Sequence, residues 1–213
     1  MMRSAGNARK QCWIDPDARI GEPCLLGKNI TIAGCVMIGE GCEIGHNSVI
    51  GSPPQSIGAG AEHGGVIIGN RVVIRENVVI HAAIEPGHHT IIEDGCYIMA
   101  GVVVNHDCHV EDHAIITSGA MLAGHVHVMK TANIGQGASV HQFSVIGTGA
   151  IVGVNAAIVK DVPPYMKCGG VPARCLGENV FLSSKVSKAC IEAEFVRFNA
   201  LRNPKRGDRM LRW

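Results

Sequence analysis

Aromatic side chains are scarce. Only 4% of the 213 residues are Phe, Trp or Tyr, which argues against a thick core filled with rings. Excess charge is missing too. The formal net charge is +1, so no bulk electrostatic pull toward nucleic acid is expected. No apolar run approaches the roughly 20 residues that cross a bilayer. The opening segment, Met1 to Lys10, carries no apolar stretch of the secretory kind, so a cytoplasmic location is expected. Cysteines number nine, and several recur at regular places in an apolar pattern. They read as reduced core filler, not as a disulfide framework.

In place of these features the chain has 27 glycines and a strict period. Stepping by six from Ile14 to Ile158 meets an aliphatic residue everywhere except Ser56, Glu62 and Pro86. Neither a 3.6-residue helix nor an alternating strand holds such a phase over that length. A second column, two residues earlier, is small or β-branched: Cys12, Ala18, Cys24, Ile30, Val36, Cys42 and Ser48, resuming at Val66 and reaching Ala156. Glycine often follows the aliphatic slot, where a corner needs its backbone freedom. Each hexad is one short β edge plus one turn, and the chain is a hexapeptide-repeat β solenoid.

The period sets the boundaries. Residues 1–12 form an N-terminal segment, and the coil spans 13–165. The ladder is lost at 52–65 and at 85–89, which read as loops thrown off the coil. Pro163 and Pro164 end it, because proline cannot donate to a ladder. Residues 166–213 form a C-terminal extension. Its stretch 166–182 reads as irregular, and apolar spacing predicts a helix over about 184–201. A tail with Arg202, Lys205, Arg206, Arg209 and Arg212 against Asp208 follows. It reads as a solvated end or as a patch that attracts an acidic carrier or a phosphate.

Eighteen residues make one full coil, so side chains 18 apart stack ~4.8 Å from one another. His106, Gly124 and Gln142 form one such line. Asp107, His125 and Phe143 form the next. Both lines sit where the hexad points side chains outward, so His106 reads as a near-neutral base available to a substrate. Gly124 offers a backbone N–H beside it with no side chain in the way, as an oxyanion requires. Cys108 occupies the inward small column and is core filler, not a nucleophile. Eleven histidines raise the question of zinc. In γ-type carbonic anhydrases two of the three histidine ligands are five residues apart. His81 and His106 fill two parts, but Gly101, five before His106, cannot ligate, so no metal is expected. Gln55 is a turn residue or reaches a ligand. Asn179 caps the helical region or hydrogen-bonds a nucleotide.

Seven stretches carry a resemblance: Ile50-Gly-Ser-Pro-Pro-Gln55, Ile74-Arg-Glu-Asn-Val-Val-Ile-His81, Asn105-His-Asp-Cys108, Leu122-Ala-Gly-His-Val126, Val140-His-Gln-Phe143, Asp161-Val-Pro-Pro-Tyr165 and Pro172-Ala-Arg-Cys-Leu-Gly-Glu-Asn179. Together they resemble the bacterial acyl-carrier-protein–UDP-N-acetylglucosamine O-acyltransferases, which begin lipid A synthesis. The resemblance implies a left-handed parallel β-helix and a homotrimer with active sites between subunits. It implies a direct transfer of a 3-hydroxyacyl chain from acyl carrier protein to a sugar-nucleotide hydroxyl, with no cofactor. His106 is then the general base and the Gly124 N–H the oxyanion donor. Gln55, Asp107, His125, His141, Gln142, Asn179 and Lys185 belong to substrate binding. Val154 stands where relatives that take long chains have glycine, and is expected to limit chain length. Ser56, Gly58, Val103 and Phe181 depart from the family's acceptor pocket. The alternatives are a relative using another sugar-nucleotide acceptor, an amine or a coenzyme A thioester, a zinc-dependent lyase, and a non-catalytic scaffold that binds a sugar nucleotide.

Overall fold

The structure is a computed structural model and describes residues 12–57 and 60–202. Its β strands are mostly two residues long and coil left-handedly into three parallel sheets. The first sheet runs from Trp13–Ile14 through Val103–Val104 and Met121–Leu122 to Ala157–Ile158. The second runs from Arg19–Ile20 to Val145–Ile146. The third begins at Leu25–Leu26 and passes through Ile151–Val152. Registers such as Val104 to Leu122 and Leu122 to Val140 establish the 18-residue turn.

The aliphatic slots point inward. Ile32, Ile50, Ile80, Val104, Leu122 and Ile134 are fully buried, and the small column, including Cys24, Cys42, Cys96 and Cys108, fills the corners between them. Full burial of an aliphatic side chain contributes ~2 kcal/mol before chain entropy is set against it. The core reading of the cysteines is only part of the picture: Cys35, Cys175 and Cys190 are exposed.

Both loops leave the same corner, between the first and second sheets. One spans 53–64, from strand Val49–Ser52 to strand Gly65–Ile68, and the other joins Val79–His81 to His89–Ile92. They pack on each other: a Cβ on Gly64 would lie 2.2 Å from the His88 carbonyl oxygen. Gly58 lies outside the described residues.

The coil runs further than the prolines suggested. Val162 bridges to Ile146 in the second sheet, and Met166–Gly169 pairs in parallel with Ile151–Val152. Residues 166–182 are not irregular either. Met166–Gly169 turns back into the antiparallel strand Arg174–Glu178. That strand faces the end of the coil and shows no inward period to read. The predicted single helix is two, α1 (Val180–Ser183) and α2 (Lys188–Leu201). Ser187 caps α2, its hydroxyl accepting from the Cys190 N–H at 3.3 Å. The predicted start at 184 is therefore four residues early. The tail beyond Arg202 lies outside the described residues, as does the segment 1–11. Arg202 itself is bound to Asp161 at 3.0 Å.

Candidate active site

Position along the corner between the first and second sheets is set by distance from the buried slot. His106 follows Val104 by two residues, as Gly124 follows Leu122 and Gln142 follows Val140, and the strand registers lay the three side by side. A Cβ on Gly124 would lie 2.3 Å from His106 Cε1 and 2.6 Å from its Nε2. Only glycine leaves room for the imidazole there. Among the described residues no protein acceptor takes the Gly124 N–H.

The next line is Asp107, His125 and Phe143, all in the left-handed region with φ near 60°. Left-handed backbone costs a non-glycine residue ~1–2 kcal/mol, but eleven of the described residues adopt it along this coil. The strain therefore belongs to the architecture and not to this site. Its effect here is to turn Asp107 back onto its neighbour. His106 Nδ1 donates to Asp107 Oδ2 at 2.8 Å, which leaves the lone pair on Nε2, the nitrogen facing Gly124. Asp107 is itself held. Its N–H donates to the buried Thr90 Oγ1 at 2.9 Å, and Ile84 N–H donates to its carboxylate at 3.3 Å. The resemblance had placed Asp107 in substrate binding; the geometry makes it the group that orients the base.

His125 Nε2 lies 3.8 Å from Asp107 Oδ2. Its ring meets His106 edge-on at 5.2 Å between centroids and stacks flat on Phe143 at 4.5 Å. His106 is 12% exposed and His125 more open. One rung upstream, His81 is buried, its Nδ1 3.0 Å from both Ser52 Oγ and the Pro53 carbonyl. Burial pulls its pKa below the ordinary imidazole range, against the Pro53 hydrogen bond. His81 is not one of the side chains that converge with His106. His106, Asp107 and His125 do converge, one ligand atom each within 4.8 Å. Two imidazoles and a carboxylate are able to hold a cation, although two of those atoms are engaged with each other.

Two segments, 17–52 and 89–124, match the pattern of the bacterial transferase hexapeptide (six repeats). The acyl-[acyl-carrier-protein]–UDP-N-acetylglucosamine O-acyltransferase of Thermodesulfovibrio yellowstonii is 42% identical over 72 residues, 34% of this chain and 28% of that protein. Its counterpart in Rhizobium rhizogenes is 35% identical over 170 residues, 79% of this chain and 63% of that one. The chain therefore spans less than two thirds of the curated relatives it matches. The crystal structure of a UDP-N-acetylglucosamine acyltransferase superposes with a TM-score of 0.78 and 30% identity, covering 92% of this chain and 83% of that one. The chain belongs to the UDP-N-acetylglucosamine O-acyltransferase family.

The other residues that the family suggested do not all gather around His106. Gln55 is exposed on the loop over the same corner, and His141 and Gln142 are half-buried two rungs below His106. Asn179 is 4% exposed, and its Nδ2 donates to the Gly149 carbonyl at 2.8 Å. Its own carbonyl accepts from Leu182 and Ser183 N–H. Its side chain thus ties the segment before α1 to another corner of the coil and makes no cap bond to the helix. Lys185 stands 3.6 Å over the Phe181 ring, also away from His106. Val154 is 66% exposed, in an open depression of about 420 Å3 with Met99, Thr117, Asn133 and Gln136. It follows the third sheet, not the first. Counting coils from His106 gives ~13 Å along the axis but misses that Val154 lies on a different edge of the prism. Cys108 is buried, its Sγ donating to the Ala123 carbonyl at 3.0 Å. Burial pushes its thiol up to about 12, so it is no nucleophile.

Sequence reasoning missed Thr90 and Ile84. Thr90 is a hydroxyl in the inward column of aliphatic and small residues, and that polar exception was the available signal. The Ile84 contact depends on loop conformation and had none.

Proposed function

We propose that this protein transfers an acyl chain, of the 3-hydroxyacyl kind, from an acyl carrier protein thioester to a hydroxyl of a UDP-N-acetylglucosamine-like sugar nucleotide. The observation that carries this is the His106 imidazole, anchored at Nδ1 by Asp107 and facing Gly124 with Nε2, on a coil of this family. The acceptor hydroxyl gives its proton to Nε2 as its oxygen attacks the thioester carbonyl. The Gly124 N–H holds the oxyanion. Collapse expels the carrier thiolate, which takes the proton back from His106. Every group needed is supplied by the chain and the two substrates, with no cofactor.

The working unit is a homotrimer in the cytoplasm. Outward residues of the first sheet (Val49, Val79, Val103, Met121) and of the third (Val73, Tyr97, Ile115, Ile151) are apolar, and none is fully buried in a single chain. On the second sheet, α2 packs against the later strands, Phe198 beside Met129 and Val145 and Arg197 on Glu111. Two apolar faces per chain suit a closed ring, in which the first sheet of one copy meets the third sheet of the next. Such packing sets the first sheet of one copy, with His106 at its border, against the third sheet of its neighbour, with Val154 at its border. No helix among the described residues is long and apolar enough to cross a membrane.

The test offers acyl carrier protein thioesters with a panel of sugar nucleotides and identifies products by mass spectrometry. An O-acylated UDP-N-acetylglucosamine with release of carrier thiol is the expected product. An N-acylated product points to an amino-sugar acceptor, and transfer only from coenzyme A replaces the donor. No acyl product from any pair overturns the reading.

A further inference from the structure

Two thiols meet where the coil ends. Cys168 takes the inward slot that continues the line Ile116, Ile134 and Val152. The antiparallel strand Arg174–Glu178 lies at the edge of the third sheet, and there Cys175 pairs directly with Cys168. Cys168 is buried beneath, and Cys175 is exposed at the mouth. Opposed residues on antiparallel strands hold their Cα atoms ~4.5–5.5 Å apart, inside the ~4.4–6.8 Å a disulfide spans. Both thiols are free, and direct pairing sets the two side chains on one side of the ribbon.

We propose that Cys168 and Cys175 form a modification site, a cross-strand dithiol that small-molecule disulfides oxidise to an intramolecular disulfide closing the C-terminal mouth of the coil. Other cysteines lack the combination. Cys24 and Cys42 precede paired residues of neighbouring coils but are both buried. Cys35 and Cys190 are exposed on a coil corner and on α2, neither paired across strands with another cysteine.

The chemistry balances in two exchanges. The Cys175 thiolate attacks one sulfur of the small disulfide, forming a mixed disulfide and releasing one small thiol. The Cys168 thiolate then attacks Cys175 Sγ and releases the second. Two protein thiols lose two electrons, the oxidant gains them, and the two protons pass to the released thiols. Burial pushes the Cys168 thiol up to about 11. Closure from the mixed disulfide therefore speeds up about tenfold per pH unit between pH 7 and 10.

Trypsin cuts after Lys167 and Arg174, so the two cysteines fall on separate peptides, 168–174 and 175–185. The native chain is treated with oxidised glutathione, its remaining thiols are alkylated, and the digest is mapped by mass spectrometry. The expected result is a linked pair of those two peptides, with two thiols lost per chain. A Cys35→Ser, Cys190→Ser double variant should close as the native chain does. Cys168→Ser should stop at a glutathione adduct on Cys175. Only an adduct on Cys175 of the native chain at every pH, or Cys175 linked to Cys175 of another copy, overturns the proposal. None of these readouts depends on the acyl-transfer reading.

Discussion

At the scale of single residues, the corner carries two kinds of side chain that answer differently to removal. His106 is outside the aliphatic ladder, so His106→Ala should lower kcat at least ~10²-fold, the usual scale for a lost general base, and leave Tm nearly unchanged. Near-native turnover in that variant rules out His106 as base. Cys108 is the reverse case. Cys108→Ala removes a buried sulfur and should cost ~1 kcal/mol of stability, the common size of a point-mutant effect, while turnover stays close to native. A folded but inactive Cys108→Ala protein sinks the assignment of that thiol to the core. His106 and Gly124 were legible in the sequence because residues 18 apart must lie side by side once the period is known. The role of Asp107 was not, because the pattern shows that a residue faces outward but not that left-handed backbone turns its carboxylate onto the preceding ring. Asn179 shows the same limit. A motif records the residue type, and only the fold shows that its Nδ2 is tied to the Gly149 carbonyl.

At the scale of elements, α2 was visible only as apolar spacing, and what fastens it to the coil is polar. Glu111, 2% exposed, accepts from Arg197 Nη1 at 2.8 Å and from Lys130 N–H at 3.0 Å, and lies 2.5 Å from His127 Nε2. Glu194 on α2 accepts from Thr148 Oγ1 at 2.6 Å and pairs with Lys130. Phe198 packs beside Met129 and Val145. No sequence period couples residue 111 to residue 197, so this clamp was unreadable before the fold. Burial pushes the Glu111 carboxyl up, but the hydrogen bonds and charges of His127 and Arg197 outweigh it and hold the pKa at about 2. A carboxyl depressed in the folded state stabilises fully above its unfolded pKa and loses that contribution as pH falls through the folded one. From 4.5 down to about 2 the shift corresponds to ~3 kcal/mol. Glu194 is depressed as well, burial again opposing its partners. The protection factors of α2 amides, exchange relative to the unfolded chain at the same pH, should therefore fall between pH ~4.5 and ~2, less steeply in Glu111→Gln. Identical acid profiles for the two proteins would remove Glu111 from the clamp. Arg197→Ala, which strands a buried carboxylate, should loosen α2 by ~3 kcal/mol at pH 7.

At the scale of the whole molecule, the prism separates what the proposed reaction has to combine. His106 lies on the edge between the first and second sheets and Val154 on the edge between the third and first. Within one copy they lie on different edges; the proposed ring would supply them to one acyl chain from adjacent copies. Forcing extra methylenes past Val154 should cost ~1–3 kcal/mol, or roughly 10- to 100-fold in kcat/KM. Val154→Gly should therefore move the preferred donor to longer chains across a ladder of carrier thioesters, and coinciding peaks would mean that another group closes the groove. Subunit mixing tests the geometry itself. His106→Ala trimers should be inactive, and Val154→Trp trimers should reject all but the shortest donors. Val154 is 66% exposed on the single chain, so tryptophan there leaves the coil itself undisturbed. In trimers reassembled at random from equal amounts of the two, about one cleft in four draws a native His106 from one copy and a native Val154 from its neighbour. Turnover of a medium-chain donor should recover to about a quarter of native. If base and gauge acted within one chain, no mixed trimer would contain an intact cleft, and mixing would recover nothing.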